Sequence, residues 1–284
     1  MNATSNDKAA RFRSLHEGTR PLALTNVWDV ASAVVAEEAG ASAVATTSAG
    51  VAWALGRPDG NQLDRARGTA VVSAIAAAVD VPVTVDVEGG YAASADGVGE
   101  TVAVILDAGA VGINIEDGDR GPEELVARIV AARRAADAAG VPMFINARTD
   151  VFLAAVGSPD EQLAEALARA DRYIEAGADG IFVPGASTAE CIGALTAALP
   201  VPVNVMVGPG ALSIDDLGRL GVARVSLGSS VAQAAYAVVQ RAVEEMASSG
   251  TYGATAGAVD YGWLNDLIAG RRGNPIVGGG LSRV

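Results

Sequence analysis

Val81-Pro82-Val83-Thr84-Val85, Val141-Pro142-Met143-Phe144-Ile145 and Val201-Pro202-Val203-Asn204-Val205 are three variants of one phrase, repeated at intervals of sixty residues. In each, a valine and a proline run into a short apolar stretch. Proline at a strand's first position gives up an N–H that the ladder does not need there, so each phrase reads as the entry to a strand. Between the phrases stand Gly40-Ala41, Gly109-Ala110, Gly177-Ala178 and Gly221-Val222. Each of these glycines follows an alanine-rich helical pattern and precedes a strand-like run. A helix-ending residue there takes a left-handed conformation, which glycine adopts without steric cost.

Working outward from this repeat, eight strands are predicted, over residues 22–27, 42–47, 82–88, 111–116, 142–148, 180–184, 202–207 and 224–228. Helical patterns separate every neighbouring pair. The clearest spans 159–176, where Leu163, Ala166, Leu167, Ala170 and Ile174 recur at helical spacing behind the cap Ser158-Pro159-Asp160-Glu161. Ser213-Ile214-Asp215-Asp216 reads as another helix start. Strands alternating with helices pair in parallel, and eight such units suit a closed (β/α)8 TIM-type barrel, with an open doubly wound sheet as the competing arrangement. No break in composition divides the chain, so residues 1–284 are read as a single barrel domain. Residues 1–20 form a polar leader. Residues 250–284 form a glycine-rich C-terminal extension, helical near Tyr261–Ala269, which is a candidate for packing on a neighbouring subunit.

The rare residues narrow the chemistry. Lys8 is the single lysine, Cys191 the single cysteine and His16 the single histidine. A lysine Schiff base, a zinc site of Cys and His ligands and a Ser-His-Asp triad therefore have almost no candidate residues. One cysteine allows no internal disulfide and fits a reducing compartment. A net charge of −13 argues against nucleic acid as a partner. No apolar stretch has the length of a membrane span, and the polar start lacks the hydrophobic centre of a signal peptide. A cytoplasmic protein is expected.

In a barrel of this kind the active site lies at the C-terminal ends of the strands. Strand residues two apart share a face. Thr84, Asp86 and Glu88 do so, as do Asn114 with Glu116 and Asn146 with Arg148, and Asn204 follows the same habit. The loop after the second strand adds Asp59. Each carboxylate alone could be a solvated strand-end residue, but Asp59, Asp86, Glu88 and Glu116 directed to one rim would repel one another. A bound divalent cation resolves that conflict. All-oxygen ligands point to Mg²⁺ or Mn²⁺, leaving Arg148 to grip a substrate carboxylate.

Several runs together resemble the isocitrate lyase/phosphoenolpyruvate mutase superfamily. They are Asn26-Val27-Trp28-Asp29, Thr46 to Gly56 (TTSAGVAWALG), Val85-Asp86-Val87-Glu88-Gly89-Gly90-Tyr91, Gly112-Ile113-Asn114-Ile115-Glu116-Asp117 and Ile145-Asn146-Ala147-Arg148-Thr149-Asp150. The likeness runs in order over roughly residues 10–245. It implies Mg²⁺-dependent chemistry on a small 2-oxo or 2-hydroxy carboxylate, making or breaking a C–C or P–C bond through a stabilised enolate. By resemblance Asp86 is the principal metal ligand, and Glu88 stands where many members have a second aspartate. Asp59 and Glu116 hold the metal's waters, and Arg148 grips the substrate. The backbone around Thr47, Ser48 and Ala49 binds substrate oxygens. Asp59, Glu116 and Arg148 are the expected catalytic residues. Asn204, Tyr91 and Trp53 are added as pocket residues, with Trp28 beside Trp53 in the wall. The resemblance also implies a homodimer or homotetramer, with a C-terminal helix exchanged between subunits.

The loop after Glu116, Asp117-Gly118-Asp119-Arg120-Gly121-Pro122, departs from the superfamily's lyases, which carry lysine, cysteine and histidine there. Cys191 falls in a helical stretch and reads as structural. The expected function is a Mg²⁺-dependent C–C lyase of the oxaloacetate decarboxylase or 2-hydroxy-diacid lyase kind. The alternatives are a phosphonopyruvate or phosphoenolpyruvate mutase or hydrolase, and a non-catalytic barrel that binds oxo acids. Gly208-Pro209-Gly210 and Gly228-Ser229-Ser230 read as tight turns rather than a phosphate site.

Overall fold

The computed structural model describes residues 4–270. The outer parts of the predicted leader and C-terminal extension, residues 1–3 and 271–284, lie outside the described residues. In chain order the elements are α1 (Ser5–Ser14), β1 (Leu22–Leu24), β2 (Asn26–Val27), α2 (Val30–Glu38), β3 (Val44–Thr46), α3 (Ser48–Ala54), α4 (Arg65–Ala78) and β4 (Val83–Asp86). Then come α5 (Ala95–Asp107), β5 (Gly112–Glu116), α6 (Pro122–Ala139), β6 (Phe144–Arg148), α7 (Val151–Ala154), α8 (Pro159–Glu175) and β7 (Gly180–Phe182). The last are α9 (Ala189–Ala198), β8 (Val203–Met206), α10 (Ile214–Arg219), β9 (Arg224–Ser226), α11 (Ser230–Ser248) and α12 (Tyr261–Ala269).

All the strands pair in parallel, in the order β1-β9-β8-β7-β6-β5-β4-β3-β2. The predicted first strand, 22–27, is one passage of chain split in two at Thr25. Its first half pairs with β9 and its second with β3. The two ends of the sheet are therefore the same passage, and the ring closes as a (β/α)8 barrel. Eight predicted strands become nine segments for this reason alone. The four glycines that announce strands have φ between 87° and 109°, as their helix-ending position demands. The helix expected over 159–176 is α8, with a full capping box between Ser158 and Glu161 and Pro159 in its first turn.

Valine and isoleucine of the strands meet the alanine-rich inner faces of the helices in one continuous core. A second, smaller cluster lies inside the barrel's N-terminal end. There α1 lays Ala9 and Phe12 against Leu22, Leu24, Ala45, Val111 and Phe144. Full burial of Phe12 contributes roughly 1.5–3 kcal/mol. The polar leader is thus a plug. His16 belongs to it, stacked on Phe144 with ring centroids 4.1 Å apart and hydrogen-bonded through Nδ1 to the Phe12 carbonyl. Burial, reinforced by the nearby Arg224 charge, pushes its pKa down to about 3, so it is neutral. It sits at the N-terminal end of the barrel, opposite the C-terminal ends of the strands.

The helix α11 departs from the pattern of its neighbours. Ala232 is its one buried residue, while Val239, Val243 and Met246 are largely exposed. A cavity of about 810 Å³, mostly apolar, lies between its first turns, α2 and the segment around Val259 and Leu264. No helix among the described residues is long and apolar enough to cross a membrane.

Candidate active site

A smaller cavity, about 160 Å³, opens at the C-terminal ends of the strands. It is here that charged and polar side chains converge, which selects it over the larger apolar one. Thr47, Ser48 and Ala49 line one side, with Asp59 and Asp86 beside them and Arg148 across from them. Asp86 ends β4. Its N–H donates to Thr46 Oγ1 at 2.8 Å, and its Oδ2 accepts from the Ser48 N–H at 3.0 Å and the Ser48 hydroxyl at 2.8 Å. The first turn of α3 thus clamps one carboxylate oxygen. The other, Oδ1, is buried without a partner. The Ser48 N–H, expected to bind substrate oxygen, is committed to Asp86 instead.

The four expected carboxylates are not gathered equally. Asp59 and Asp86 face the cavity. Burial, then the Asp86 charge, raises the Asp59 carboxyl above its ordinary range. Glu88 does not line the cavity. It sits in a tight turn with φ of 50°, buried, its Oε2 held by the Asn61 N–H and its Oε1 unpartnered. Burial pushes it up to about 7. Glu116 turns onto Arg148, with Oε2 2.7 Å from Nη1. Burial outweighs that guanidinium and pushes Glu116 up to about 8. Among the described residues no three carboxylate, imidazole or thiolate groups are close enough to enclose a metal by themselves. Of the four carboxylates expected at one rim, Asp59 and Asp86 form a two-carboxylate face, and Glu88 and Glu116 are buried behind it. That face still fits Mg²⁺, which takes one or two carboxylates and keeps several waters, and a buried unpartnered Asp86 oxygen is the donor it needs.

Arg148 reaches the cavity with part of its guanidinium already engaged. Its planar fork, Nε and Nη2, donates to the two oxygens of Asp150 at 2.6 and 3.0 Å. Substrate would meet only the remaining N–H groups. Burial lowers the arginine's pKa, but Glu116 and Asp150 overrule it and hold the guanidinium above its ordinary value. Asp150 is placed in turn by Asp117, fully buried, which accepts from the Asp150 N–H at 2.8 Å, Tyr173 Oη at 2.8 Å and Arg169 Nη1 at 2.9 Å.

Four expected pocket residues are placed elsewhere. Asn204 lies under the cavity floor, 1% exposed, its amide spent on neighbouring backbone and on Asn146. Tyr91 packs beside Gly68 and donates to the Asp86 carbonyl at 3.0 Å, and burial holds its proton firmly. Trp53 faces Tyr236, ring centroids 6.3 Å apart, and Trp28 borders the larger apolar cavity. Asn26, Asn114, Gly228 and Ser229, noted in the sequence but given no site role, line the cavity, and the lining residues that sequence reasoning passed over are Phe182, Met206 and Ser226. Phe182, Met206 and Ser226 each end a strand. The rule that assigns function to strand ends could have found them had it not been applied to charged residues first.

These shifted carboxyls set a pH dependence. In the folded protein Glu88 and Glu116 keep protons that the unfolded chain gives up near 4.5. Their contribution to stability is therefore complete below that value and is lost as pH rises through about 7 and then about 8. Thermal melts in chelator are expected to show a falling melting temperature from about pH 5 to about pH 9, recovered by Mg²⁺ most at the alkaline end. A flat profile would show that neither carboxyl is shifted.

Residues 12–247 match the sequence profile of phosphoenolpyruvate phosphomutase. An uncharacterized protein of Mycobacterium tuberculosis H37Rv is 39% identical over 222 residues, covering 77% of this chain and 81% of its own length. The 2-methylisocitrate lyase of Escherichia coli K12 is 35% identical over 189 residues, 60% of each chain. The structure of a candidate phosphonomutase from Burkholderia cenocepacia J2315 superposes with a TM-score of 0.80 at 48% identity, covering 84% of this chain and all of its own. The superfamily comprises Mg²⁺-dependent lyases and mutases, and one member of the fold, phosphonopyruvate hydrolase, is known in complex with oxalate and Mg²⁺. A closed parallel barrel with its carboxylates at the β4 mouth, matched over most of its length by that profile, places the chain in the phosphoenolpyruvate phosphomutase family of the isocitrate lyase superfamily.

Proposed function

We propose that this protein is a Mg²⁺-dependent lyase that breaks a C–C bond in a small 2-oxo or 2-hydroxy carboxylate. The observation that carries the reading is Asp86 Oδ1, buried and unpartnered beside Asp59 in a small cavity that also contains Arg148. Asp86 would hold the cation, with Asp59 and Glu116 orienting its waters and Glu88 behind them. When bound, Mg²⁺ supplies the Lewis acidity that cleavage next to a carbonyl or hydroxyl carbon requires. The chain's own groups do the rest. The free N–H groups of Arg148 orient the substrate carboxylate, and Thr47 and Ala49 close one side. Glu116, with Oε2 2.7 Å from Arg148 Nη1, braces that guanidinium from behind the cavity. The volume admits a molecule of pyruvate or oxaloacetate size.

The test is calorimetry with oxalate, with and without Mg²⁺, beside product assays on oxaloacetate. Oxalate binding that requires Mg²⁺, together with formation of pyruvate, is the expected result. No binding would overturn the reading, and tight binding without product from any 2-oxo or 2-hydroxy acid would leave a non-catalytic oxo-acid barrel. The 48% identity to a candidate phosphonomutase favours a second reading, chemistry at a P–C bond, which turnover of phosphonopyruvate would establish.

We also propose a homo-oligomer in which α11 of one subunit covers the apolar cavity beside α2 of another. The exposed valines of α11 and the cavity's mostly apolar walls supply complementary surfaces. Light scattering is expected to return a dimer or tetramer, and Val239→Glu with Val243→Glu should shift it toward monomer.

A further inference from the structure

Arg224 opens β9 and is 1% exposed within the barrel. Among the described residues it forms no ion pair, and the Asp86 charge favours its ionised form against burial. Its Nη2 donates to Asn114 Oδ1 at 3.1 Å, while Nε and Nη1 are buried without partners. The ring of Phe12 lies 5.9 Å from its Cζ. Even pushed down to about 9 by burial, the guanidinium keeps its proton at neutral pH. An unpaired buried charge lowers stability, and an apolar side chain of the same size would pack there at less cost. A charge buried at that cost calls for a use.

That use is Asn114. Its Oδ1 accepts from two donors, Arg224 Nη2 at 3.1 Å and Asn146 Nδ2 at 3.0 Å, which fills the capacity of a carbonyl oxygen. Asn146 is itself held by Asn204 Oδ1 at 3.1 Å, and Asn204 by backbone carbonyls of β8 and β9. A flipped Asn114 amide would set its NH2 group against a guanidinium, so the orientation is determined from below. The NH2 end is turned away from this network, and Asn114 lines the cavity as the neighbour of Asp86 across the β4–β5 pair. A cationic donor on the amide oxygen withdraws electron density from the nitrogen and strengthens its N–H as a donor.

We propose that Asn114 Nδ2 donates to an oxygen of the substrate and that Arg224 is the positioning residue that orients and polarises it. This rests on the reading of the cavity as a 2-oxo acid site. As negative charge grows on that oxygen during cleavage, a fixed and polarised donor gains strength without reorganisation. Arg224 does this from beneath, touching neither substrate nor cation.

Oxalate with Mg²⁺ is the probe, because its planar dianion resembles the enolate of a 2-oxo acid. Calorimetry on the full chain comes first. If the unmodified protein does not bind oxalate in the presence of Mg²⁺, the oxo-acid reading fails and this proposal with it. Given that binding, Asn114→Ala and Arg224→Met are each expected to weaken oxalate roughly tenfold or more, with affinity for Mg²⁺ alone held or tightened. Arg224→Lys should retain part of the affinity. Because Arg224 acts through Asn114, adding Arg224→Met to Asn114→Ala should weaken oxalate no further. The melting temperature of Arg224→Met should hold or rise, where a residue that merely braces the core would lower it. Undiminished oxalate affinity in Arg224→Met, or a full second loss in the double variant, overturns this proposal while leaving the oxo-acid site standing. Should Arg224→Met not fold, Asn114→Ala decides alone, and undiminished oxalate affinity in it is the overturning result.

Discussion

Asp86→Asn is expected to abolish Mg²⁺-dependent binding of oxalate and to lower Mg²⁺-dependent turnover by at least about 10³-fold, while the fold survives. The asparagine keeps an acceptor for the Ser48 N–H and hydroxyl, so the clamp between β4 and α3 remains satisfied. What disappears is a formal charge in a cluster where Asp59, Glu88 and Glu116 are all pushed upward in part by Asp86. Without cation, relief of that repulsion should leave the melting temperature unchanged or slightly raised. Asp86→Ala would lose the same function but also strand a buried N–H, at a cost of about 1–3 kcal/mol. Asparagine is therefore the cleaner variant. Calorimetry with Mg²⁺ followed by oxalate reads the outcome directly. Full retention of Mg²⁺-dependent activity would remove Asp86 from the centre of the site.

Arg148→Met has the largest expected effect on stability. The guanidinium is shared between Glu116 and the bidentate Asp150, all three largely buried. Removing it leaves two carboxylates with no cation between them, a change worth about 3–5 kcal/mol when a buried pair loses one partner. The cell is not symmetric in pH. Glu116, already raised to about 8, rises further without Arg148 and escapes its penalty by staying protonated in acid. The deficit in urea unfolding should thus be larger at about pH 9 than at about pH 6. Arg148→Lys keeps the charge but cannot fork onto Asp150 and reach Glu116 together, so it should restore stability only in part and substrate affinity hardly at all. Equal unfolding free energies for Arg148→Met and the parent at both pH values would show that the pair is solvated rather than buried.

The barrel was legible in the chain because its signals are local. A Val-Pro strand entry, a glycine obliged to positive φ and a helical period need only their own neighbours, and sixty-residue repetition reports that one unit recurs. The charged rim was legible for a related reason, since alternation along a strand decides its face. Asp59, Asp86 and Arg148 accordingly reach the cavity as expected. Directions beyond the strand were not legible. Glu88 obeys the alternation but falls in a turn with φ of 50°, which carries its carboxyl away from the mouth. Arg148 and Glu116 face each other because β5 and β6 pair Glu116 with Arg148, a register no single strand reveals. Asn204 has the spacing of a site residue, yet it is one layer too deep.

What the amino-acid sequence alone determined, then, is the parallel barrel and the strand ends at which its carboxylates gather, with one lysine, one histidine and one cysteine in the whole chain. Tertiary structure alone decided how the charges are shared. It joined the split first strand to both ends of the sheet and seated the leader helix as a plug. It spent the Arg148 fork on Asp150, and it placed an unpaired Arg224 beneath Asn114. Such pairings depend on which strands become neighbours and in what register. Burial then multiplies their consequences, because a charge that would be trivial in water must find its partner inside the barrel or remain without one.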